Sequence, residues 1–192
     1  VALRVDAPGR FSLVWNRAEC SDESIVSSIN ALQKTMQNWS RQHGRYLWAL
    51  GLHLSPVVCE NLETADLHLA LCDGEALLVA PRLAGLCVNY NVSMLMSEDC
   101  AVLFRQPRKK TVREIDRVRI KGRDEVMTLY APVAPVKKAA APKAQPVEEL
   151  AGAIAAFNEG RTARARTLFR KLHKQNPEDP IVRKYLEKLE KK

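Results

Sequence analysis

The chain has 192 residues, 46% of them hydrophobic, so it is long enough to bury the core of one domain of moderate size and a small appendage. Its net charge of +8 is uneven, because residues 1–104 carry 7 Lys and Arg against 11 Asp and Glu, whereas residues 105–192 carry 23 against 11. No apolar run reaches the roughly 18 residues of a membrane-spanning helix, so we expect no membrane span. No leader peptide is visible, and the chain opens on a strand-like run without an initiator Met, so we expect a fragment of a longer polypeptide.

The first three segments predict a β-hairpin and a helix. Residues 1–5 and 10–16 are rich in strand-forming side chains and flank a Pro-Gly turn. Ser21 or Asp22 can cap the helix that follows. Apolar side chains then recur at helical spacing at Ile25, Ile29, Leu32, Met36 and Trp39.

The middle of the chain alternates strands and helices. Residues 43–55 are apolar on both faces, which predicts a strand at a central position in a sheet, and residues 56–62 continue or pair with it. A helix is expected from near Gly74, with a kink or an early boundary at Pro81. A short strand, a helical turn and two further strands follow up to Val133, so the pattern predicts an α+β fold.

The five cysteines are odd in number and none forms a Cys-x-x-Cys pair, a spacing typical of zinc and redox sites. They are Cys20, Cys59, Cys72, Cys87 and Cys100. We expect buried free thiols in a reducing compartment, and therefore an intracellular chain on the cytoplasmic side. The four histidines do not cluster, and we expect no metal ion and no cofactor.

The composition changes at the end of the α+β segment. Residues 134–146 are rich in Ala, Pro and Lys and predict a linker. Residues 147–192 are strongly helical, and Gly160 and Pro177 divide them into three predicted helices.

Four stretches, in this order, resemble motifs of the class III adenylate/guanylate cyclase homology domain. They are VALRVDAPGRFSLVWN, LWALGLHLSPVVCENL, CDGEALLVAPRL and VRIKGRDEVMTLYAP. The resemblance covers about residues 1–133 and implies a nucleotidyl-cyclase-like, ferredoxin-like sheet with helices. It also implies that the family's first strand and two opening helices would lie before Val1.

The same resemblance implies that the catalytic residues are largely lost. The metal-binding Asp of the family falls on Gly9, the purine-reading Asp on Leu71 and the ribose-orienting Asn on Leu78. Arg82 matches the family's transition-state Arg, and we expect it to be vestigial, with its head paired to an acidic neighbour. The chain is thus expected to be a non-catalytic pseudoenzyme that acts as a scaffold or regulatory subunit in a larger protein assembly, with another cyclase-like domain as one possible partner.

Two other functions stay open at this point. The first is half of an active cyclase heterodimer, to which this chain gives Arg82. The second and weaker one is a nucleic-acid-associated module built on the basic residues 105–123. Nucleic acid is disfavoured because no aromatic side chains are interleaved there to stack on bases.

The helical tail resembles a tetratricopeptide repeat (TPR). Counted from Gly160 as the turn glycine, Ala165, Phe169 and Pro177 fall on the small, aromatic and proline positions of that repeat. One repeat cannot bury its apolar face alone, so either the first domain or another chain must cover it.

We expect the tail to bind protein. Its candidate binding residues are Phe157, Phe169 and Tyr185. The surrounding cations favour an acidic partner surface; they include Arg164, Arg170, Lys171 and Lys184.

Overall fold

The computed structural model describes residues 2–7, 9–44, 48–63, 68–105, 112–120, 125–133 and 147–191. The strands in this part of the chain are β1 (Ala2–Ala7), β2 (Arg10–Val14), β3 (Leu50–Leu52), β4 (Val57–Glu63), β5 (His68–Gly74), β6 (Met94–Ser97), β7 (Val112–Arg119) and β8 (Val126–Pro132). The helices are α1 (Asp22–His43), α2 (Glu75–Tyr90), α3 (Glu98–Arg105), α4 (Val147–Asn158), α5 (Thr162–Gln175) and α6 (Pro180–Glu190). The predicted α+β class is confirmed, whereas the predicted linker lies outside the described residues.

The strands form one mixed sheet and two hairpins. The sheet has the order β3-β6-β8-β7, in which β3 runs parallel to β6 and the other pairs are antiparallel. Strands β1 and β2 form one hairpin, and β4 and β5 form the other. This arrangement is compatible with a cyclase-like fold.

The prediction that β3 is central is wrong, because β3 lies at one end of the sheet. Both of its faces are apolar for another reason: they pack against different clusters of the core. Leu50 and Leu52 contact the cluster around α1 and α3, whereas Ala49 contacts the cluster around α2. Gly51 lies directly against the backbone of α2.

The helix boundaries follow from caps and packing. Ser21 caps α1, since its Oγ accepts a hydrogen bond of 3.2 Å from the backbone N–H of Ser24. Helix α2 continues through Pro81, so the predicted boundary there is wrong. Burial of Val79 and Leu83 on the core side outweighs the hydrogen-bond donor that proline lacks.

The three-helix tail packs on the sheet and on α2 and shares one continuous core cluster with them. Phe169 and Tyr185 stack with centroids 4.7 Å apart and are fully buried, while half-buried Phe157 meets Tyr185 edge-on at 5.1 Å. The sequence left open whether the preceding part of the chain or another chain covers the apolar face of the tail. In the structure, the sheet and α2 of the same chain cover it.

A buried carboxylate on β7 joins the tail to the rest of the chain. Asp116, only 4% exposed, accepts hydrogen bonds from Tyr185 at 2.6 Å, from Tyr90 at 2.7 Å and from Lys188 at 2.7 Å. The backbone N–H of Arg117 donates a fourth at 2.8 Å. Burial acts to raise the pKa of Asp116, but the hydrogen bonds from Lys188, Tyr185 and Tyr90 outweigh it, so this pKa is lowered.

Two further contacts hold the tail in place. Arg113 on β7 forms a bidentate ion pair with Asp179, which also caps α6. Lys184 donates to the carbonyl of Asn89 and lies 4.1 Å from the ring centroid of Tyr90. Lys184, expected to face an acidic partner, is therefore engaged within the chain.

We predict that Asp116→Asn destabilises the protein by about 2–3 kcal/mol, because the charge-assisted hydrogen bonds to the carboxylate are lost while Lys188, whose side chain is 35% exposed, stays partly solvated. Tyr90→Phe removes one hydrogen bond and should cost about 1 kcal/mol. Urea unfolding of the full chain measures both values. A loss below that of Tyr90→Phe would contradict the role given to the Asp116 carboxylate.

The same variant should change the pH dependence of unfolding. Because the pKa of Asp116 is lowered on folding, its contribution is present above about pH 4 and is lost as the pH falls below that value. Burial raises the pKa of Tyr90 and of Tyr185, so their contribution is present below about pH 10 and is lost as the pH rises further. Because Asp116→Asn has no carboxyl group at this position, its free energy of unfolding should fall less steeply below about pH 4 than that of the parent chain.

We predict that Gly51→Ala destabilises the protein by at least about 2 kcal/mol, because the added Cβ would overlap backbone atoms of Ala80 and Ala84. Gly85→Ala in α2 is the matched control. Its Cβ meets no atom within 4 Å, so it should be neutral or stabilising by up to about 1 kcal/mol. Equal effects of the two substitutions on the free energy of unfolding would refute the close packing of β3 on α2.

Candidate functional site

Helix α2 presents Leu78 and Arg82 on one exposed face. The two residues are four apart, so they lie one above the other on the helix. Leu78 is 60% exposed and Arg82 is also exposed, whereas Val79 and Leu83 on the neighbouring, core-facing side are almost completely buried. The position at which the cyclase resemblance implies a ribose-orienting amide is thus a solvated leucine.

Among the described residues, no carboxylate forms the ion pair with Arg82 that the sequence led us to expect. The reason is local. The positions three and four residues away on α2 are Val79, Leu78, Gly85 and Leu86, none of which carries a negative charge.

Gly9 occupies the turn between β1 and β2. Its φ of 73° is in the left-handed region that favours glycine. A Cβ there would meet no atom within 4 Å, so backbone conformation rather than space selects glycine, which offers no ligand atom. Leu71 lies on β5, but its side chain lies outside what the structure describes. Within the described ranges, no three His, Cys, Asp or Glu side chains converge to hold a metal ion.

A groove of about 980 Å³ lies where β2 ends and α1 begins, opposite residues 54–57 and α3. Trp15 forms part of its apolar wall. Its polar wall includes Arg17, whose guanidinium makes two hydrogen bonds of 2.9 and 3.0 Å to the Asp22 carboxylate. Asp99 adds a second carboxylate. The sequence reasoning missed these residues because they come from separate segments that only the tertiary fold brings together.

Cys59 at the rim of the groove forms a disulfide with Cys72. The expectation that all five cysteines are free thiols is therefore wrong for this pair. The two residues lie directly opposite each other on β4 and β5, with Cα atoms 4.2 Å apart. Their pairing depends on the register of the hairpin, which a search for closely spaced cysteines cannot detect.

The buried Cys87 and Cys100 thiols and the Ser97 hydroxyl are not available as nucleophiles. Burial raises the pKa of Cys87 to about 12 and that of Cys100 to about 11, so both thiols are protonated at neutral pH. The Oγ of Ser97 lies 3.0 Å from Nδ1 of His53, but Ser97 is only 2% exposed. A substrate in solution therefore has no access to this serine–histidine pair.

Comparison with known proteins gives one informative relative. No family model matches the chain. It is similar to an adenylate cyclase of Anabaena cylindrica, with 27% identity over 118 residues, which cover 58% of this chain and 24% of that protein. This weak similarity suggests a cyclase-like relationship for the matched part of the chain. The match spans about a quarter of the relative's length, so the activity of the whole relative does not transfer with it. Of the helices in the described ranges, none has the length and hydrophobicity needed to cross a bilayer.

We predict that Arg82→Ala changes the free energy of unfolding by no more than about 0.5 kcal/mol, because the exposed guanidinium has no ion-pair partner in the described chain. Leu83→Ala, one residue away and fully buried, should cost about 2–5 kcal/mol. Urea unfolding of both variants measures the difference. A large loss for Arg82→Ala would show that the side chain has a structural partner.

Proposed function

We propose that the chain is a catalytically inactive cyclase-like pseudoenzyme that acts as a scaffold or regulatory subunit within a larger protein assembly. The observation that carries the proposal is the exposed face of α2. It keeps Arg82 but has Leu78, 60% exposed, where the cyclase resemblance implies a ribose-orienting amide. A leucine side chain can neither donate nor accept a hydrogen bond.

The hairpin turn supports the same proposal. In the resembling family, metal ions activate the 3′-hydroxyl and offset the charge of the triphosphate. At the matching turn, Gly9 has no side-chain oxygen and a left-handed backbone that other residues rarely adopt. With Leu71 at the purine position, three of the four checkable functional positions lack the group that the chemistry needs.

The alternative is half of an active heterodimer. One specific observation favours it: the guanidinium of Arg82 is exposed and has no ion-pair partner in the described chain. A second cyclase-like domain that supplied metal ligands and base contacts would find this cation available.

We also propose the organisation read from the sequence: a partial cyclase-like domain at 1–133, a linker at 134–146 and TPR-like helices at 147–192. The positions that suggest the repeat fit its packing, since Gly160 has a φ of 75° at the turn between α4 and α5 and Ala165 is fully buried. Protein binding through Phe169 and Tyr185 would require the tail to leave the sheet, because the chain itself buries both rings. We therefore propose that partners meet the outer face of the docked tail.

The location of the protein remains a prediction. Cys20, Cys87 and Cys100 are free thiols, which agrees with an intracellular chain on the cytoplasmic side. The Cys59–Cys72 disulfide is of a kind that forms mainly in oxidising compartments, so it weighs against that location.

We predict that the chain forms no cyclic nucleotide from ATP or GTP with Mg²⁺ or Mn²⁺. The assay separates the reaction products by chromatography and compares the chain with Arg82→Ala and with a blank without protein. All three should agree, because the metal and ribose positions are Gly9 and Leu78. Cyclic product that the Arg82→Ala variant does not form would overturn the pseudoenzyme proposal.

The heterodimer alternative needs a second arm, in which the chain is mixed with an active adenylate cyclase domain. A rate increase that is lost with Arg82→Ala but kept with Arg119→Ala, an exposed cation on β7, would favour the alternative. A rate that changes equally with both variants, or not at all, would favour a subunit that contributes no catalytic group.

A further inference from the structure

The outer face of α5 carries only positive charge. Between Thr162 and Gln175 the helix has five Lys and Arg residues and no Asp or Glu. These cations are Arg164, Arg166, Arg170, Lys171 and Lys174, and all of them are exposed. The neighbouring α6 instead mixes both signs along its length.

Three of these five cations have no partner among the residues that the structure describes. Arg166 donates to the carbonyl of Leu189 at 2.9 Å, and Lys171 lies 3.1 Å from Glu149. The other three, at positions 164, 170 and 174, make no ion pair or hydrogen bond with any described residue. At about 100° per residue, they and Lys171 fall within roughly a third of the helix circumference, on the side opposite the buried face.

Except for Lys174 in the last turn, which the helix dipole favours, this arrangement opposes the stability of α5. Arg164 lies in the first turn, where the helix dipole repels positive charge. Arg166 with Arg170, and Arg170 with Lys174, are like charges four residues apart and repel each other. A face that only needed to be solvated could mix charges, as α6 does, so an anionic partner explains the cations better than solubility.

The shape of the cationic face limits what the partner can be. The adjoining helices carry carboxylates: Glu149 of α4 contacts Lys171, and α6 has exposed Glu187 and Glu190. The unbroken run of positive charge is therefore confined to α5, since α6 mixes both signs and α4 carries only acidic residues. A nucleic-acid duplex or an anionic bilayer, with negative charge over a broad surface, would also meet these carboxylates and be repelled. The described part of the tail has no exposed large apolar side chain to enter a bilayer or stack on bases.

We infer that the outer face of α5 docks an acidic helix of a partner protein. An acidic helix along α5, over about 21 Å, contacts the cations without approaching the carboxylates on either side. This inference rests on the proposed role as a subunit of a protein assembly and names the chemistry of the surface that the partner meets.

The test uses the full chain and a labelled alanine-based helical peptide with glutamates at i, i+3, i+4 and i+7, with the glutamine version of that peptide as the reference. Fluorescence anisotropy should show binding of the glutamate peptide only, and this binding should weaken with salt. The triple variant Arg164→Gln, Arg170→Gln, Lys174→Gln should bind roughly tenfold more weakly. Because its like-charge repulsion is relieved, its thermal unfolding midpoint should be no lower than that of the parent chain.

The matched control removes the same net charge elsewhere, with Lys34→Gln, Arg41→Gln and Arg119→Gln, which are exposed cations of α1 and β7. It should change peptide affinity by less than about twofold. The inference is overturned if the glutamate peptide does not bind at low salt, or if the control and the α5 variant lose equal affinity. Tighter binding to a DNA duplex or to phosphatidylserine vesicles than to the peptide would also overturn it. A chain that proved to be an active cyclase would refute the proposed pseudoenzyme without changing the peptide result.

Discussion

One buried carboxylate sets the relation between the two parts of this chain. Asp116 on β7 is held by a tyrosine of α2 and by Tyr185 and Lys188 of α6, so three elements that are distant in sequence meet at two oxygen atoms. A carboxylate removed from water is tolerated only with such partners. Each partner is in turn fixed by it, which orders α6 on the sheet and makes the apolar packing of the tail specific.

This docking changes what the tail can do. In a free helical hairpin, the aromatic side chains Phe169 and Tyr185 would be the natural contact surface for another protein. Here both side chains are buried within the chain, and the charged face of α5 is exposed to solvent instead. The exposed face of α2 is a second surface, chemically different because it combines Leu78 with a guanidinium that pairs with no carboxylate among the described residues.

The sequence predicted the helices better than it predicted their surroundings. Apolar spacing and caps located α1 and the three tail helices, because those signals are local. Pro81 did not end α2, since packing overrides a local signal. The end position of β3 and the Cys59–Cys72 pair depend on which strands become neighbours, and residue order alone does not specify that.

For the candidate site, the resemblance located Gly9, Leu78 and Arg82, and the structure shows the setting of each. The groove beside Arg17 could not be predicted from the sequence, because the residues that line it come from segments that are distant along the chain. That α2 itself supplies no counter-charge for Arg82, by contrast, could be predicted from the residues one helical turn away on that helix.

The shared core has a consequence for any attempt to divide the molecule. If the segment before α4 were cut and the two parts were separated, the core cluster of the tail would lose its apolar cover. Asp116 would also lose two of its hydrogen-bond partners, Tyr185 and Lys188. The two pieces are therefore complementary halves of one folding unit. We therefore expect them to behave as a split protein, in which each half needs the other in order to fold.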